Sequence, residues 1–142
     1  MPTSRKPLPD WAADNRKRYQ ETDGADGHIW RGTPTLLLTT IGRISGEPLL
    51  LPLIYGTNGN DYLVVASKGG AADHPAWYKN LAANPDVEVQ VLGDKFKARA
   101  RTATPAEKPP LWETMARIWP AYNDYQQKTS RDIPVVILER AD

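Results

Sequence analysis

Short apolar runs separated by glycine, proline and asparagine dominate this chain, so strands are predicted to outnumber helices. Residues 35–41 (TLLLTTI) form one β-branched run, and residues 49–55 (LLLPLIY) form another that contains Pro52. Because proline cannot donate to a strand ladder, the second run is predicted to be an edge strand or to carry a bulge. Asn58-Gly59 is a strong hairpin signal and predicts that residues 49–55 pair antiparallel with residues 62–66.

Two alternating runs in the second half of the chain predict a further hairpin. Valines alternate with polar residues over residues 86–91, and small or aromatic residues alternate with four cations over residues 95–101. A turn at Gly93-Asp94 would set three polar pairs across the hairpin, namely Gln90 with Lys97, Glu88 with Arg99 and Asp86 with Arg101. The cationic stripe is therefore predicted to be a solvated face with paired charges rather than an anion-binding surface.

Helical spacing appears first near the N-terminus and again in the middle of the chain. Residues 11–20 (WAADNRKRYQ) predict a polar helix within a loosely attached N-terminal arm, residues 1–30. Residues 76–84 (AWYKNLAAN) predict the clearest helix, with Asp73 or His74 as its cap.

The chain ends with one more helix and one more strand. Residues 110–119 (PLWETMARIW) have helical spacing that Pro120 closes, and residues 133–138 (IPVVIL) supply a last strand. This order favours an α+β fold with two or three helices on a small, mainly antiparallel, barrel-like sheet over a parallel doubly wound fold. We expect residues 31–142 to form one domain, since a chain of 142 residues is long enough for a single core.

Charge and composition narrow the classes of function. The chain carries 18 Lys and Arg against 17 Asp and Glu, a formal net charge of +1, so no general field draws it to nucleic acid or to an anionic membrane. It contains no cysteine, which excludes disulfides, thiolate metal sites and cysteine nucleophiles and fits a cytoplasmic protein. Its apolar runs are far shorter than the roughly 18 residues that a membrane span needs.

Catalysis by side chains alone has little support in the sequence. The two histidines, His28 and His74, are far apart and have no nearby carboxylate cluster with ligand spacing, so no metal site is expected. None of the serines lies in a G-x-S-x-G elbow, so a hydrolase triad lacks its nucleophile signature.

Two glycine-bearing turns are more informative. Residues 42–46 (GRISG) and 67–70 (SKGG) each follow a predicted strand and combine backbone N–H groups with a cation, which suits a phosphorylated ligand. Aromatic residues that could cover a flat ring follow at Trp77, Tyr78, Trp119, Tyr122 and Tyr125. Each turn taken singly is an ordinary tight turn, and the aromatic residues are equally consistent with core packing. Together they predict a pocket for a cofactor that supplies redox chemistry.

Four segments carry a resemblance to a known family. They are LLLTTIGRISGEP, PLIY, the long block VVASKGGAADHPAWYKNLAANPDVEVQV, and IWPAYNDYQ followed by IPVV. The chain resembles the deazaflavin-dependent nitroreductase family of actinobacterial oxidoreductases over about residues 30–139. The resemblance implies a split β-barrel related to flavin-binding barrels, and coenzyme F-420, an 8-hydroxy-5-deazaflavin, in place of FMN.

The resemblance also implies which residues contact the coenzyme and the acceptor. The coenzyme-binding positions are Arg43, Ile44, Ser45, Leu49, Leu50, Leu51, Pro52, Leu53, Ile54, Val65, Ala66, Ser67, Lys68, Ala76, Trp77, Tyr78, Lys79, Asn80 and Tyr122. We expect Ser67, Tyr122 and Tyr125 to hydrogen-bond the acceptor oxygen, where charge builds up as hydride arrives, and a tyrosine to supply the proton.

The chain differs from the usual family pattern at four positions, namely Ile44, Glu47, Leu49 and Trp119. Family members usually carry cations where Ile44, Glu47 and Leu49 stand, so fewer charges are expected to bind the anionic tail of the coenzyme. The nitroreductase branch usually has a tyrosine where this chain has Trp119, which bears on the reduction of nitroimidazoles.

The resulting functional hypothesis is a cytoplasmic reductase that passes hydride from reduced coenzyme F-420 to a quinone, an enone or a nitro compound. One alternative is an FMN or haem-breakdown enzyme on a related barrel. Another is a non-catalytic carrier of the coenzyme or of a different amphipathic ligand. Barrels of this type often pair, and an edge strand at residues 49–55 would need covering, so a homodimer is the expected assembly.

Overall fold

The computed structural model describes residues 10–141 of the chain. Within them, eight strands form one sheet: β1 (Ile29–Trp30), β2 (Thr33–Ile41), β3 (Pro48–Ile54), β4 (Gly56–Asn58), β5 (Asp61–Val65), β6 (Asp86–Val91), β7 (Asp94–Thr102) and β8 (Val135–Arg140). The helices are α1 (Asp10–Thr22), α2 (Ala76–Ala83), α3 (Lys108–Ile118) and α4 (Ala121–Gln127), and a single 3₁₀ turn spans Lys68–Gly70. None of these helices is long and apolar enough to cross a membrane.

The sheet is curled, and the strands at its two ends, β3 and β4, follow one another in the chain. The strands follow the order β1-β2-β6-β7-β8-β5-β4, all paired antiparallel, and β3 adds to β2. Only Tyr55 separates β3, at one end of the sheet, from β4, at the other. No ladder joins β3 to β5 among the described strands, so the barrel is split between them. The predicted split β-barrel is confirmed.

The predicted pairing of residues 49–55 is wrong. The strand β3 pairs with β2 in the register Thr35 with Ile54, and the short β4 forms the hairpin with β5 instead. The chain bends at Tyr55, whose N–H donates to the carbonyl of Pro34, 3.1 Å away. The hairpin signal located a real turn, but the apolar run before it belongs to a different ladder.

The free edge of β3 is short of hydrogen-bond donors. Because Tyr55 bonds to β2, the alternation of an antiparallel ladder turns the even-numbered residues of β3 to the free edge. Pro48 and Pro52 therefore leave two positions on that edge without an N–H. The carbonyl of Leu50 on the same edge accepts a hydrogen bond from Arg16 of α1, 3.0 Å away. The edge-strand prediction for Pro52 is confirmed, and the edge is protected from further pairing.

The hairpin of β6 and β7 has a different register from the predicted one. Its turn lies at Leu92 and Gly93, so Asp86 faces Arg99 and Glu88 faces Lys97. Leu92 has a φ of 56°, and its N–H donates to the hydroxyl of Tyr19, 2.7 Å away. This contact from a distant helix favours a turn that the local sequence did not indicate.

The charges on the hairpin are paired, as expected, although the partners differ. Arg99 lies 3.8 Å from Asp86. Arg101 contacts Glu107 at 2.7 Å and Glu139 at 3.3 Å, outside the hairpin. The cationic stripe is thus a surface with paired charges.

Two apolar clusters support the barrel. The interior cluster combines Leu36, Leu38, Val89 and Phe96 with Trp77 of α2. The outer cluster lies between the strands β5 and β8 and the helices α3 and α4, and Met115 is fully buried in it. The helix α4 was missed because Pro120 was taken as a helix end, whereas it is the N-cap of the next helix.

The helix α1 is docked on the sheet and is not the loosely attached element that the sequence predicted. Tyr19 is fully buried, and its hydroxyl donates to the carbonyl of Thr35, 3.1 Å away, while it accepts from Leu92. The glycines Gly24 and Gly27 follow the helix with φ of 85° and 108°, which lets the chain turn back to β1. Residues 1–9 of the predicted arm lie outside the described residues, and the boundary at residue 30 stays a prediction.

We predict that Tyr19→Phe lowers the free energy of unfolding by about 1–3 kcal/mol, because the N–H of Leu92 loses its acceptor and the buried carbonyl of Thr35 loses its donor. Urea denaturation followed by tryptophan fluorescence measures this change. Tyr78→Phe is the matched control, since its hydroxyl bonds to Thr102 at an exposed position and water can replace it. Equal stability of the Tyr19 variant and the wild type would show that the helix does not depend on this hydroxyl.

Candidate active site

A cavity of about 290 Å³ lies where the two apolar clusters meet, at the split between β3 and β5. Leu53 and Trp77 contribute from the interior cluster, and Ile54, Val65 and Tyr122 contribute from the outer one. The complete lining is Trp30, Thr35, Pro52, Leu53, Ile54, Val65, Ser67, Lys68, Gly69, Pro75, Trp77, Trp119, Tyr122 and Tyr125. The wall is mainly apolar and aromatic, which is typical of a site for a flat organic ligand.

The turn Ser67–Gly70 closes one side of the cavity in a strained conformation. Lys68, Gly69 and Gly70 have φ of 47°, 63° and 85°, and such values are unfavourable for the non-glycine residue Lys68. Gly70 packs so closely on Tyr125 that an added Cβ would lie 2.6 Å from the carbonyl oxygen of that residue. The Lys68 side chain is exposed at the rim of the cavity.

The helix α2 begins beside this turn without a side-chain cap. Its N-cap is Pro75, so the predicted capping by Asp73 or His74 is wrong. Asp73 instead accepts from the backbone N–H of His74 and forms an ion pair with Lys79 at 2.6 Å. Proline fits here because the first N–H of a helix has no partner within the helix.

A smaller cavity of about 150 Å³ continues along the same two elements. Leu49 of β3 and Ala76 of α2 line it together with the turn Gly42–Glu47. Asn80, which is buried, holds that turn: its Oδ1 accepts from the backbone N–H of Arg43 at 3.2 Å, and its Nδ2 donates to Thr40 at 3.2 Å. Both cavities are therefore bordered by β3 and α2, and the two together are termed the groove.

The hydroxyl groups of two tyrosines are available to a ligand in the main cavity. Tyr122 is 5% exposed, and its hydroxyl has no hydrogen-bond partner among the described residues. Burial raises the pKa of Tyr122, so the phenol keeps its proton at neutral pH. The hydroxyl of Tyr125 accepts from the indole N–H of Trp119 at 3.3 Å, which leaves its own proton free to be donated.

Two tryptophans that line the cavity contact each other. The rings of Trp30 and Trp119 have centroids 5.7 Å apart and are tilted by 40°. Trp30 comes from β1 and Trp119 from the corner between α3 and α4, so the pair joins two distant segments of the chain at the cavity wall. Such a pair presents a large aromatic surface to a planar molecule.

The structure brings fifteen of the predicted site residues to the groove. The main cavity contains Pro52, Leu53, Ile54, Val65, Ser67, Lys68, Trp77, Tyr122 and Tyr125. The smaller cavity contains Arg43, Ile44, Ser45, Leu49, Ala76 and Asn80. Five further predicted residues line neither cavity: Leu50, Leu51, Ala66, Tyr78 and Lys79.

The five residues outside the groove have other contacts. Leu51 and Tyr78 pack against the interior cluster, and Ala66 is fully buried within it. Leu50 faces a separate groove on the outer side of the sheet. Neighbouring residues of a strand point to opposite faces, which explains why Leu50 lies on the outer side of the sheet and Leu51 on the interior side.

Three residues of the main cavity were missed by the sequence analysis: Trp30, Thr35 and Pro75. Gly69 and Trp119 belonged to the predicted turn and to the predicted aromatic cover, but they were not among the named coenzyme-binding positions. Trp30 was assigned to the N-terminal arm, and no local pattern signals that it meets Trp119. The pairing depends on the fold of β1 onto β2, which is a long-range feature.

Two other features of the described residues are less suited to a cofactor. A groove of about 540 Å³ on the outer face of β2, β6 and β7 is bordered by Gln20, Glu88, Lys95 and Lys97, and Phe96 is its one aromatic residue. Residues 10–141 contain no group of three or more His, Asp or Glu side chains that could hold a metal ion.

His74 is held in its neutral form beside the main cavity. The Nη1 of Arg131 lies 3.1 Å from Nδ1 of His74, and a guanidinium has only donors, so Nδ1 accepts and the ring proton is on Nε2. Burial, with a smaller effect from the charge of Arg131, lowers the pKa of His74. Burial also lowers the pKa of His28.

We predict that the protein loses stability as the pH falls below about 6.5. In that range the unfolded chain binds protons at both histidines, whereas the folded chain binds them only at lower pH. The thermal midpoint measured from about pH 7.5 to 5.5 should therefore fall. His74→Gln, which keeps an acceptor for Arg131, should flatten part of this profile, with His28 responsible for the rest. An unchanged profile in the variant would mean that folding does not shift the pKa of His74.

Comparisons with known proteins agree with this architecture. The family model described as F420H(2)-dependent quinone reductase matches residues 11–140. The F420H(2)-dependent quinone reductase Rv1261c of Mycobacterium tuberculosis is 41% identical over 131 residues, covering 86% of this chain and 85% of the relative.

Two solved structures have the same fold at similar identity. One, described as F420-H2 Dependent Reductase (FDR-A), is 39% identical with a TM-score of 0.70 and covers 79% of this chain and 98% of its own. Another, described as a domain-swapped dimer, is 38% identical with a TM-score of 0.72 and covers 92% of this chain and 98% of its own. The resemblance to deazaflavin-dependent reductases is thereby confirmed. The chain belongs to the F420H(2)-dependent quinone reductase family.

Proposed function

We propose that this protein is a reductase that uses reduced coenzyme F-420 to reduce electron-poor acceptors, with quinones as the first class. The observation that carries the proposal is the aromatic cavity at the split of the barrel, in which two tyrosine hydroxyls can donate to a ligand. Its family membership and the names of its relatives support the choice of coenzyme and acceptor.

The residues of the groove fit a deazaflavin. Pro52, Leu53, Ile54 and Val65 offer an apolar floor, and Trp77 offers an aromatic wall. The two cavities, of about 290 and 150 Å³, are both bordered by β3 and α2, which suits a ring system with an elongated tail. We therefore assign the ring to the main cavity and the tail to the smaller one.

Two cations are available for the anionic tail. Arg43 lines the smaller cavity, and Lys68 stands at the rim of the main one. Ile44, which is 83% exposed, and Glu47 occupy places where the family usually has cations, and Glu47 offsets the charge of Arg43. We propose that affinity depends more on the ring pocket than on the charges of the tail.

The bound coenzyme supplies a hydride, and the protein residues act on the acceptor that receives it. Tyr122 and Tyr125 donate hydrogen bonds to the acceptor oxygen, where negative charge develops. Because its pKa is raised, Tyr122 remains a donor throughout the neutral range. Trp119 orients Tyr125 through the indole N–H, and Trp30 and Trp119 together exclude water from the cavity.

We extend the proposal to assembly and location. A homodimer is supported by the relative described as a domain-swapped dimer. The absence of cysteine from the sequence fits the reducing cytoplasm, where we place the reaction.

We predict that the purified protein oxidises reduced coenzyme F-420 when menadione is added, and that reduced FMN does not replace it. Anaerobic stopped-flow spectroscopy of the deazaflavin chromophore measures the rate, and omission of the quinone is the control. Binding of the coenzyme without quinone-dependent oxidation would favour the carrier hypothesis. Tighter binding and turnover with FMN would favour the alternative flavin enzyme.

We predict that Tyr122→Phe and Tyr125→Phe each lower kcat by about 10- to 100-fold with little change in the Kd of the coenzyme. Phenylalanine keeps the ring, so packing is preserved and only the hydroxyl is lost, which in Tyr125 also accepts from Trp119. Tyr62→Phe is the control, because Tyr62 packs on Phe96 away from the cavity. Full turnover in both cavity variants with quinone, enone and nitro acceptors would assign these tyrosines to packing.

A further inference from the structure

We infer that Arg131 is a positioning residue that holds the Ser67–Gly70 turn, and with it Lys68, in the conformation that binds the coenzyme. The inference rests on the proposed function. Arg131 lies in the loop between α4 and β8 and lines neither cavity. Its role is therefore exerted through the turn and not by contact with the ligand.

The guanidinium of Arg131 binds the segment before and after the turn at four points. Nη2 donates to the carbonyl of Ser67 at 2.6 Å, and Nη1 donates to the carbonyl of Ala66 at 3.1 Å. Nε donates to the carbonyl of Ala71 at 2.8 Å, and Nη1 also contacts His74. One planar group thus fixes both ends of the turn at once, which a lysine with its single ammonium cannot do.

The turn needs such a clamp because its conformation is unfavourable by itself. Lys68 has a φ of 47°, in the left-handed region that is unfavourable for a non-glycine residue. The bonds inside the turn are only those from Gly70 to Ser67 and from Ala71 to Lys68, at 2.9 and 3.1 Å. Strain of this kind persists only where surrounding contacts impose it, and Arg131 supplies contacts on both sides.

The backbone of Arg131 is held by a hydrogen bond to α4, the helix that carries Tyr122 and Tyr125. The carbonyl of Arg131 accepts from Gln126 of α4 at 2.8 Å, and the same Gln126 accepts from the N–H of Ile133, which is fully buried. Gly70 packs directly on Tyr125 of α4. Arg131 therefore links the turn on the coenzyme side to the helix on the acceptor side.

The charge of Arg131 adds to this role. Its partners among the described residues are carbonyls and a neutral imidazole, and no carboxylate lies within ion-pair distance of it. Burial lowers the pKa of Arg131, which nevertheless stays charged at neutral pH. A positive charge behind the turn favours an anion on its open side, next to Lys68.

The test combines coenzyme affinity with the motion of the turn. The Kd of oxidised coenzyme F-420, from quenching of its fluorescence, is measured for the wild type, Lys68→Ala, Arg131→Lys and the double variant. If Arg131 acts through Lys68, each single change raises the Kd by about tenfold, and the double change also raises it by about tenfold rather than a hundredfold. Arg101→Lys, at an ion pair remote from the cavity, is the matched control.

Hydrogen exchange without coenzyme provides the second readout. In Arg131→Lys, the amides of Gly70 and Ala71 should exchange at least about tenfold faster than in the wild type, while those of β6 and β7 keep their rates. Arg131→Gln, which keeps one amide donor for the same carbonyls, replaces the lysine variant if that protein does not fold.

The outcomes separate this inference from the proposed function. Wild-type affinity and wild-type exchange in the Arg131 variants would overturn the inference and leave the function intact. Additive effects in the double variant would overturn it as well, since they would show that Arg131 acts independently of Lys68. A wild-type protein without affinity for coenzyme F-420 would overturn the proposed function and, with it, the assignment of the turn to the coenzyme.

Discussion

The free edge of β3 is the constraint on which the site depends. Pro48 and Pro52 remove two donors from that edge, and Arg16 occupies the carbonyl of Leu50 between them. A continuous ladder from β3 to β5 is therefore unfavourable, although Tyr55 alone separates β3 from β4, the partner of β5. The barrel stays split, and the split leaves room for a cavity between its interior and the layer of α3 and α4.

The aromatic pair and the two turns at this opening are held by contacts between distant parts of the chain. Trp119 from the α3–α4 corner meets Trp30 from β1, and Asn80 of α2 holds the turn at Arg43. Arg131 holds the turn at Lys68. The two cations, Arg43 and Lys68, are thus presented by turns, while the residues that fix those turns lie on a helix or in the loop before β8. A rigid scaffold of this kind reduces the entropy that binding must overcome.

The sequence predicted the strands and most helices well, because each rests on a local pattern. The alternation over β6 and β7 and the apolar runs of β2 and β3 are examples. The predictions from sequence were wrong where a contact between distant residues determines the local structure. The turn at Leu92 depends on the hydroxyl of Tyr19, and the partner of β3 depends on the bend at Tyr55. Local signals favoured Gly93-Asp94 and a simple hairpin instead.

The site was predicted in the same uneven way. The two glycine turns and the tyrosines of α4 could be found from residue types, and the family resemblance extended them to a groove. The structure places five of the predicted residues outside that groove, namely Leu50, Leu51, Ala66, Tyr78 and Lys79. Trp30 and Arg131 carry no signal in their own segments, since each matters only through residues about sixty or more positions away.

A crystal structure of the protein with oxidised coenzyme F-420 tests the central claim most directly. Our account predicts electron density for the deazaflavin ring in the cavity bounded by Pro52, Val65 and Trp77, with the tail running along β3 toward Arg43. Density for the ring in the outer groove, against Leu37 and Lys97, would contradict it.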